Sequence, residues 1–186
     1  MTYRIATIIG SLRADSINRR VADALIRLAP SNFDFIDVSI GDLPLYNQDD
    51  DANQSAAVLR MKAAIESSDG VLFVTPEYNR SIPGALKNAL DHGSRPHGNN
   101  SWSGRPAGIV GVSPGGTGTA IAQQHLRSVL TFFDMPMFGQ PETYIQWQAD
   151  LVNEDGIFAD GSQAFFQNWM NTFSTFVTRN LVHQKG

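Results

Sequence analysis

Cysteine is absent from this chain of 186 residues. That excludes a disulfide framework, a thiolate zinc site, a cysteine-ligated iron–sulfur cluster and a cysteine nucleophile. Any redox chemistry would have to run through a bound organic cofactor or a metal held by other ligands. The four histidines, His92, His97, His125 and His183, stand in no short metal-ligand pattern, and no H-E-x-x-H occurs. No metal site is therefore expected. No run of Lys and Arg stands out and the net charge is -4, so a nucleic-acid partner has no electrostatic footprint. Apolar runs are all too short to span a membrane. The first ten residues carry neither a basic n-region nor a small-residue cleavage site, and they read as a strand. A cytoplasmic protein is expected, with no membrane partner.

What is present is a globular balance, 42% hydrophobic and 17% charged, in a length that suits one domain over residues 1–186. Apolar strand-like runs alternate with helical periodicity along the whole chain. Strands are expected at 3–9, 33–38, 70–75, 106–113 and 135–145, the last interrupted by Pro136 and Pro141. Helices are expected at 16–29, 55–67, 83–92, about 119–133 and about 161–180. The stretch 96–104 reads as a polar loop. Continuous apolar strands between helices imply a parallel sheet covered on both faces. Five such strands fit an α/β three-layer sandwich of flavodoxin-like order 2-1-3-4-5.

In an open parallel sheet, ligands bind beyond the carboxyl ends of the strands, at the switch point in strand order. Three loops leave those ends here. The first runs from Gly10 to Asn18. Ser11 and Ser16 offer hydroxyls, Asn18 an amide and Arg13 a guanidinium fork, all beside a helix N-terminus with free N–H groups. Together they form a phosphate cradle. Neither G-x-x-x-x-G-K-[ST] nor G-x-G-x-x-G is present, so neither a nucleoside-triphosphate loop nor the usual dinucleotide fingerprint is read. The alternative is an N-cap at Ser16 with a solvated Arg13. The second loop, Pro76 to Gly84, sets Tyr78 and Asn79 between two prolines, which suits a flat heteroaromatic ring needing hydrogen bonds at its edge. Glu77 is a general base or a local anchor; the anchor, capping its own helix, is the preferred reading. In the third loop, Ser113 to Thr119, Gly115, Gly116 and Gly118 let backbone approach a ligand. The alternative there is an N-cap at Thr117 or Thr119. His125 reads as helix surface or interface. Arg80, Arg95 and Arg105 either attract anions or are solvated.

Two segments, G-S-L-R-x-x-S-x-N-R at 10–19 and P-E-Y-N-R-S-I-P-G-A-L-K-N-A-L-D at 76–91, resemble the NADPH-dependent FMN reductase family, nearest to its bacterial quinone and chromate reductases. The likeness runs from Ile5 to about Gly139. It implies bound FMN and NADH or NADPH as hydride donor, with a small-molecule electron acceptor reduced by ping-pong transfer through the flavin. The flavin would carry the chemistry, so no catalytic side chain is expected. By the same resemblance, Ser11, Leu12, Arg13, Ser16, Ile17 and Asn18 would hold the phosphate end. Pro76, Glu77, Tyr78 and Asn79 would lie along the isoalloxazine, and Ser113, Gly115 and Gly116 would meet its edge. The family also implies a homodimer or homotetramer. His92 stands where relatives often carry a bulky apolar residue, which alters the interface packing expected. The competing expectations are a flavodoxin-type electron carrier without NAD(P)H turnover of its own, and a flavin-free module that kept the fold.

Overall fold

The computed structural model describes residues 1–184, with side chains through Leu181. The side chain of His183 therefore lies outside the described residues. Five strands form one parallel sheet: β1 (Tyr3–Ile9), β2 (Phe33–Asp37), β3 (Gly70–Val74), β4 (Ala107–Ser113) and β5 (Tyr144–Gln146), in the order β2-β1-β3-β4-β5. The helices are α1 (Ile17–Ile26), α2 (Ala56–Glu66), α3 (Gly84–Gly93), α4 (Ala120–Phe132) and α5 (Asp160–Gln184). The expected α/β sandwich and its strand order are as found.

Alternation along the strands builds two cores, one on each face. Ile5, Leu72, Val110 and Val112 pack with α1 and α5, while Ala6, Ile8, Phe73 and Ile109 pack with α2, α3 and α4. Burying each large apolar side chain contributes roughly 2–3 kcal/mol. On the α5 face, Gly108 leaves room for aromatic rings, since a Cβ there would lie 2.7 Å from Phe173. Trp169 and Phe173 stack at 5.3 Å, and Phe138 meets Trp169 edge-on at 5.4 Å.

Three regions depart most from the expectation. Helix α1 stops at Ile26, and Leu28 and Ala29 close tighter turns onto Leu25 and Ile26, because a residue before proline disfavours helical backbone. The fifth strand is split. Met137 makes a single parallel bridge to Ala107, the chain leaves the sheet, and only residues 144–146 pair with β4. Pro136 and Pro141 carry no N–H for a continuous ladder. Finally, the polar loop holds a core residue. Trp102 is fully buried, and its indole donates to the Leu90 carbonyl at 3.0 Å. Lys62 pins the same loop by donating to the carbonyls of Arg95 and Asn99. Burial pulls its ammonium below the usual lysine range, opposed by the nearby carboxylates of Glu66 and Asp51.

The strand order sets β1, β3 and β4 side by side, so the loops after Ile9, Val74 and Ser113 emerge together. Close approach of backbone holds them there. A Cβ on Gly111 would stand 2.1 Å from Thr119 Oγ1 and 2.6 Å from the Thr75 carbonyl. Gly111→Ala is expected to cost roughly 3 kcal/mol by overpacking, lowering Tm by roughly 6–12 °C in a scanning calorimeter.

Candidate functional site

The first loop leaves β1 through Gly10, whose N–H donates to the Val74 carbonyl at 2.9 Å. A Cβ on Gly10 would sit 2.9 Å from Thr75 Oγ1, so glycine here serves contact between the first two loops. Ser16 caps α1, its hydroxyl accepting from Arg19 N at 3.3 Å. The next N–H groups, those of Ile17 and Asn18, belong to the first turn, which a helix cannot satisfy internally. The Asn18 side chain is spent elsewhere: its amide donates to the Val112 carbonyl at 3.1 Å and its carbonyl accepts from Val112 N at 3.3 Å. It ties α1 to the end of β4, so only its backbone N–H is left to face a ligand.

The arginines sort in the same way. Arg19 forks onto Asp37 with both bonds at 2.9 Å. Arg20 donates to the Val152 carbonyl at 2.7 Å and lies 4.9 Å over Trp147. Arg13 is exposed and has no partner among the described residues. It is the cation of this segment left for a ligand. Further away, Arg95 pairs with Asp51 at 3.1 Å, and Arg105 donates to the carbonyls of Ile65 and Glu66. Both are therefore structural, neither anion-attracting nor simply solvated. Arg80 remains 68% exposed.

In the second loop, Tyr78 and Ser81 exchange backbone bonds of 2.9 and 3.0 Å around Asn79 and Arg80, whose φ values are 51° and 66°. Two left-handed central residues make a type I′ hairpin turn. Directly opposed residues share a face, so Ser81 lies beside Tyr78. The Ser81 hydroxyl in turn meets His125 Nδ1 at 3.1 Å. His125 is thus helix surface, as read, with a definite partner. Tyr78 keeps 46% of its surface exposed.

Glu77 is an anchor, but of a different helix from the one expected. Helix α3 begins at Pro83 with no side-chain cap. The Glu77 carboxylate instead accepts from Ile121 N and Ala122 N, both at 3.1 Å, in the first turn of α4. Thr117 Oγ1 lies 3.5 Å and Arg80 Nη1 3.6 Å from its other oxygen. The position expected for a threonine cap is correct, since Thr119 is the N-cap residue of α4. Its side chain makes no cap bond and its backbone is left-handed, at φ 75°. The acid from the loop after β3 does the capping.

In the third loop, Ser113 Oγ accepts from Gly115 N at 3.1 Å. Beyond that hydroxyl, a Cβ on Gly115 or Gly116 would meet nothing within 4 Å. Their open side is where another molecule can reach the backbone. Gly118 is different: it is buried, and a Cβ there would lie 2.6 Å from Tyr144, so it serves packing against β5.

A single cleft collects most of the expected residues: Ser11, Arg13, Ser16, Ile17 and Asn18 on one wall, Pro76, Glu77 and Tyr78 on another, and Ser113 at the far edge. Leu12, Asn79, Gly115 and Gly116 lie outside its lining; Leu12 is 58% exposed and leans on Gly41. Val112 and Pro114 line the cleft and were missed, although each adjoins Ser113 in sequence. Among the helix N-termini at this sheet edge, that of α4 is closed by a carboxylate, and that of α3 has no side-chain cap but adds no residue to the cleft lining. That of α1, where Ser16 takes only Arg19 N, keeps the Ile17 and Asn18 N–H groups open beside an unpaired arginine. An anion is therefore favoured at α1, and the half-exposed Tyr78 ring and two prolines suit a planar group beyond it.

Fold and cleft together define a flavodoxin-like, doubly wound protein with its cavity at the switch point between β1 and β3. More particularly, the chain belongs to the NADPH-dependent FMN reductase family, whose model matches residues 3–150, and it is an oxidoreductase using FMN and a reduced nicotinamide. It is similar to a quinone reductase of Pseudomonas putida, 48% identical over 179 residues and covering 96% of each chain. It is also similar to a 2-hydroxy-1,4-benzoquinone reductase of a Burkholderia species, 46% identical over 178 residues, covering 95% of this chain and 97% of that one. Among solved structures, it is similar to FerB, a flavoenzyme NAD(P)H:(acceptor) oxidoreductase from Paracoccus denitrificans. There the TM-score is 0.92 at 43% identity, covering 96% of this chain and 99% of the other.

Because Asn18 both donates to and accepts from Val112, Asn18→Asp would set a carboxylate oxygen against a carbonyl. A loss of roughly 2–3 kcal/mol in urea unfolding is expected, with Asn18→Ala costing less because no charge is buried.

Proposed function

We propose that this protein is an FMN-dependent NAD(P)H:quinone reductase, with the flavin phosphate at the open N-terminus of α1. The observation that carries the reading is the contrast between the two helix ends at the cleft: Arg13 is unpaired beside α1, while α4 is already capped by Glu77. The donor set fits the group. Ser11, Ser16, Arg13 and the N–H groups of Ile17 and Asn18 suit a phosphate, and the segment Pro76 to Asn79 gives a rigid wall for the isoalloxazine. Ser113 and the uncovered backbone of Gly115 and Gly116 suit its polar edge. When bound, FMN would supply the redox chemistry, accepting hydride from the nicotinamide and giving electrons to the acceptor. The chain holds the ring and leaves one side open at the half-exposed Tyr78. Donor and acceptor would use that one opening in turn, which favours ping-pong exchange.

Quinones are the assigned acceptors because the similar reductases carry that activity in their names. Chromate is a further acceptor of this reading, supported by the 68% exposed Arg80 in the loop that carries Tyr78. The whole chain, residues 1–186, serves as one FMN-binding domain. A homodimer or homotetramer is the assembly proposed, supported by large apolar side chains left in solvent, such as Leu45 at 86% and Phe132 at 84%. No helix among the described residues is long and apolar enough to cross a membrane, and use of reduced nicotinamide favours a cytoplasmic setting.

Two measurements test this. Protein reconstituted with FMN should oxidise NADH or NADPH continuously when 1,4-benzoquinone is supplied; a flavodoxin-type carrier would not turn over. Arg13→Ala should weaken FMN binding roughly tenfold in a fluorescence titration, while circular dichroism stays unchanged. Equal affinity in the variant would remove the phosphate from α1.

A further inference from the structure

Glu77 carries more chemistry than an ordinary helix cap. Its side chain is only 7% exposed, lies in the lining of the cleft, and belongs to the same short loop as Tyr78. Its two helix contacts, Ile121 N and Ala122 N, are 44 and 45 residues away in sequence. One turn further along α4, His125 holds Ser81, the residue paired with Tyr78. The hairpin is thus braced against α4 on both sides of its turn. The positive end of α4 points into that brace and meets a full negative charge.

We propose that Glu77 is a positioning residue with an electrostatic role, fixing the Tyr78 wall to α4 and cancelling the positive end of that helix beside the flavin ring. This rests on the FMN reading above. Two consequences follow. With α4 neutralised, its N-terminus no longer competes with that of α1 for the phosphate, which favours one orientation of the ligand. A carboxylate near the ring also opposes reduction, because reduction adds negative charge to the ring. Arg80, at 3.6 Å and largely in solvent, offsets only part of that charge. The groups facing Glu77 are therefore the first turn of α4, Thr117 and Arg80.

The test compares wild type, Glu77→Gln, Glu77→Ala and a charge control, Asp34→Asn, on the exposed edge strand β2. Each is stripped of flavin, titrated with FMN, and its bound flavin poised against reference dyes. Glu77→Gln keeps an oxygen for α4 and should bind FMN within about threefold of wild type. Its midpoint potential should nonetheless move to more positive values, because the helix end is left uncompensated. Glu77→Ala should add a loss of roughly tenfold in affinity as the brace opens. Asp34→Asn should shift neither quantity. If Glu77→Ala does not fold, Glu77→Gln decides alone. An unchanged potential in Glu77→Gln, or an equal shift in the control, overturns the electrostatic role. Failure of wild type to bind FMN sinks the underlying reading as well, whereas normal wild-type binding with unaltered variants sinks only this inference.

Discussion

A parallel sheet covered by helices on both faces is closed everywhere except at its ends. That constraint governs this molecule. Most side chains of β1, β3 and β4 are committed to the two cores, so chemistry is presented by the strand ends, such as Ser113, and by the loops that follow them. Because β1, β3 and β4 are neighbours, three such endings meet. Close contacts keep them together: Gly10 against Thr75, Gly111 against Thr75 and Thr119, and the Asn18 side chain against the Val112 backbone. The cleft is a by-product of the same packing that stabilises the sheet.

Charge is distributed with similar economy. Three arginines occur between residues 13 and 20, yet two are used up by Asp37 and by the Val152 carbonyl with the Trp147 ring. Of the helix N-termini at this edge, that of α4 is occupied by Glu77 and that of α3 adds nothing to the cleft lining. What is left is one free guanidinium and one open helix end on the same wall. This subtraction, more than any single contact, supports a definite place for an anionic group and leaves the opposite wall to an aromatic one.

Much of this was legible in the sequence because the signals were local. The apolar runs of β1, β3 and β4, the serine before α1 and the turn residues between Pro76 and Pro83 act within a few positions of themselves. What escaped reading depends on partners far along the chain. Glu77 looked like a cap for the helix that follows it, but its donors come from α4. Asn18 looked like a ligand group, but its amide is taken by a strand 94 residues away. Trp102, alone in a polar stretch, showed no periodicity and yet fills the core under α3. The fifth strand was read as one element interrupted by its two prolines, whereas their missing N–H groups help end the ladder and only residues 144–146 pair with β4.

The turn at Asn79 and Arg80 has a further consequence. Both residues sit in the left-handed region, a conformation most side chains avoid. It is held in advance by the paired Tyr78 and Ser81 and by the contacts to α4. A mouth shaped before anything enters loses little freedom on occupation. Visitors to such a mouth are sorted by girth and flatness at the threshold.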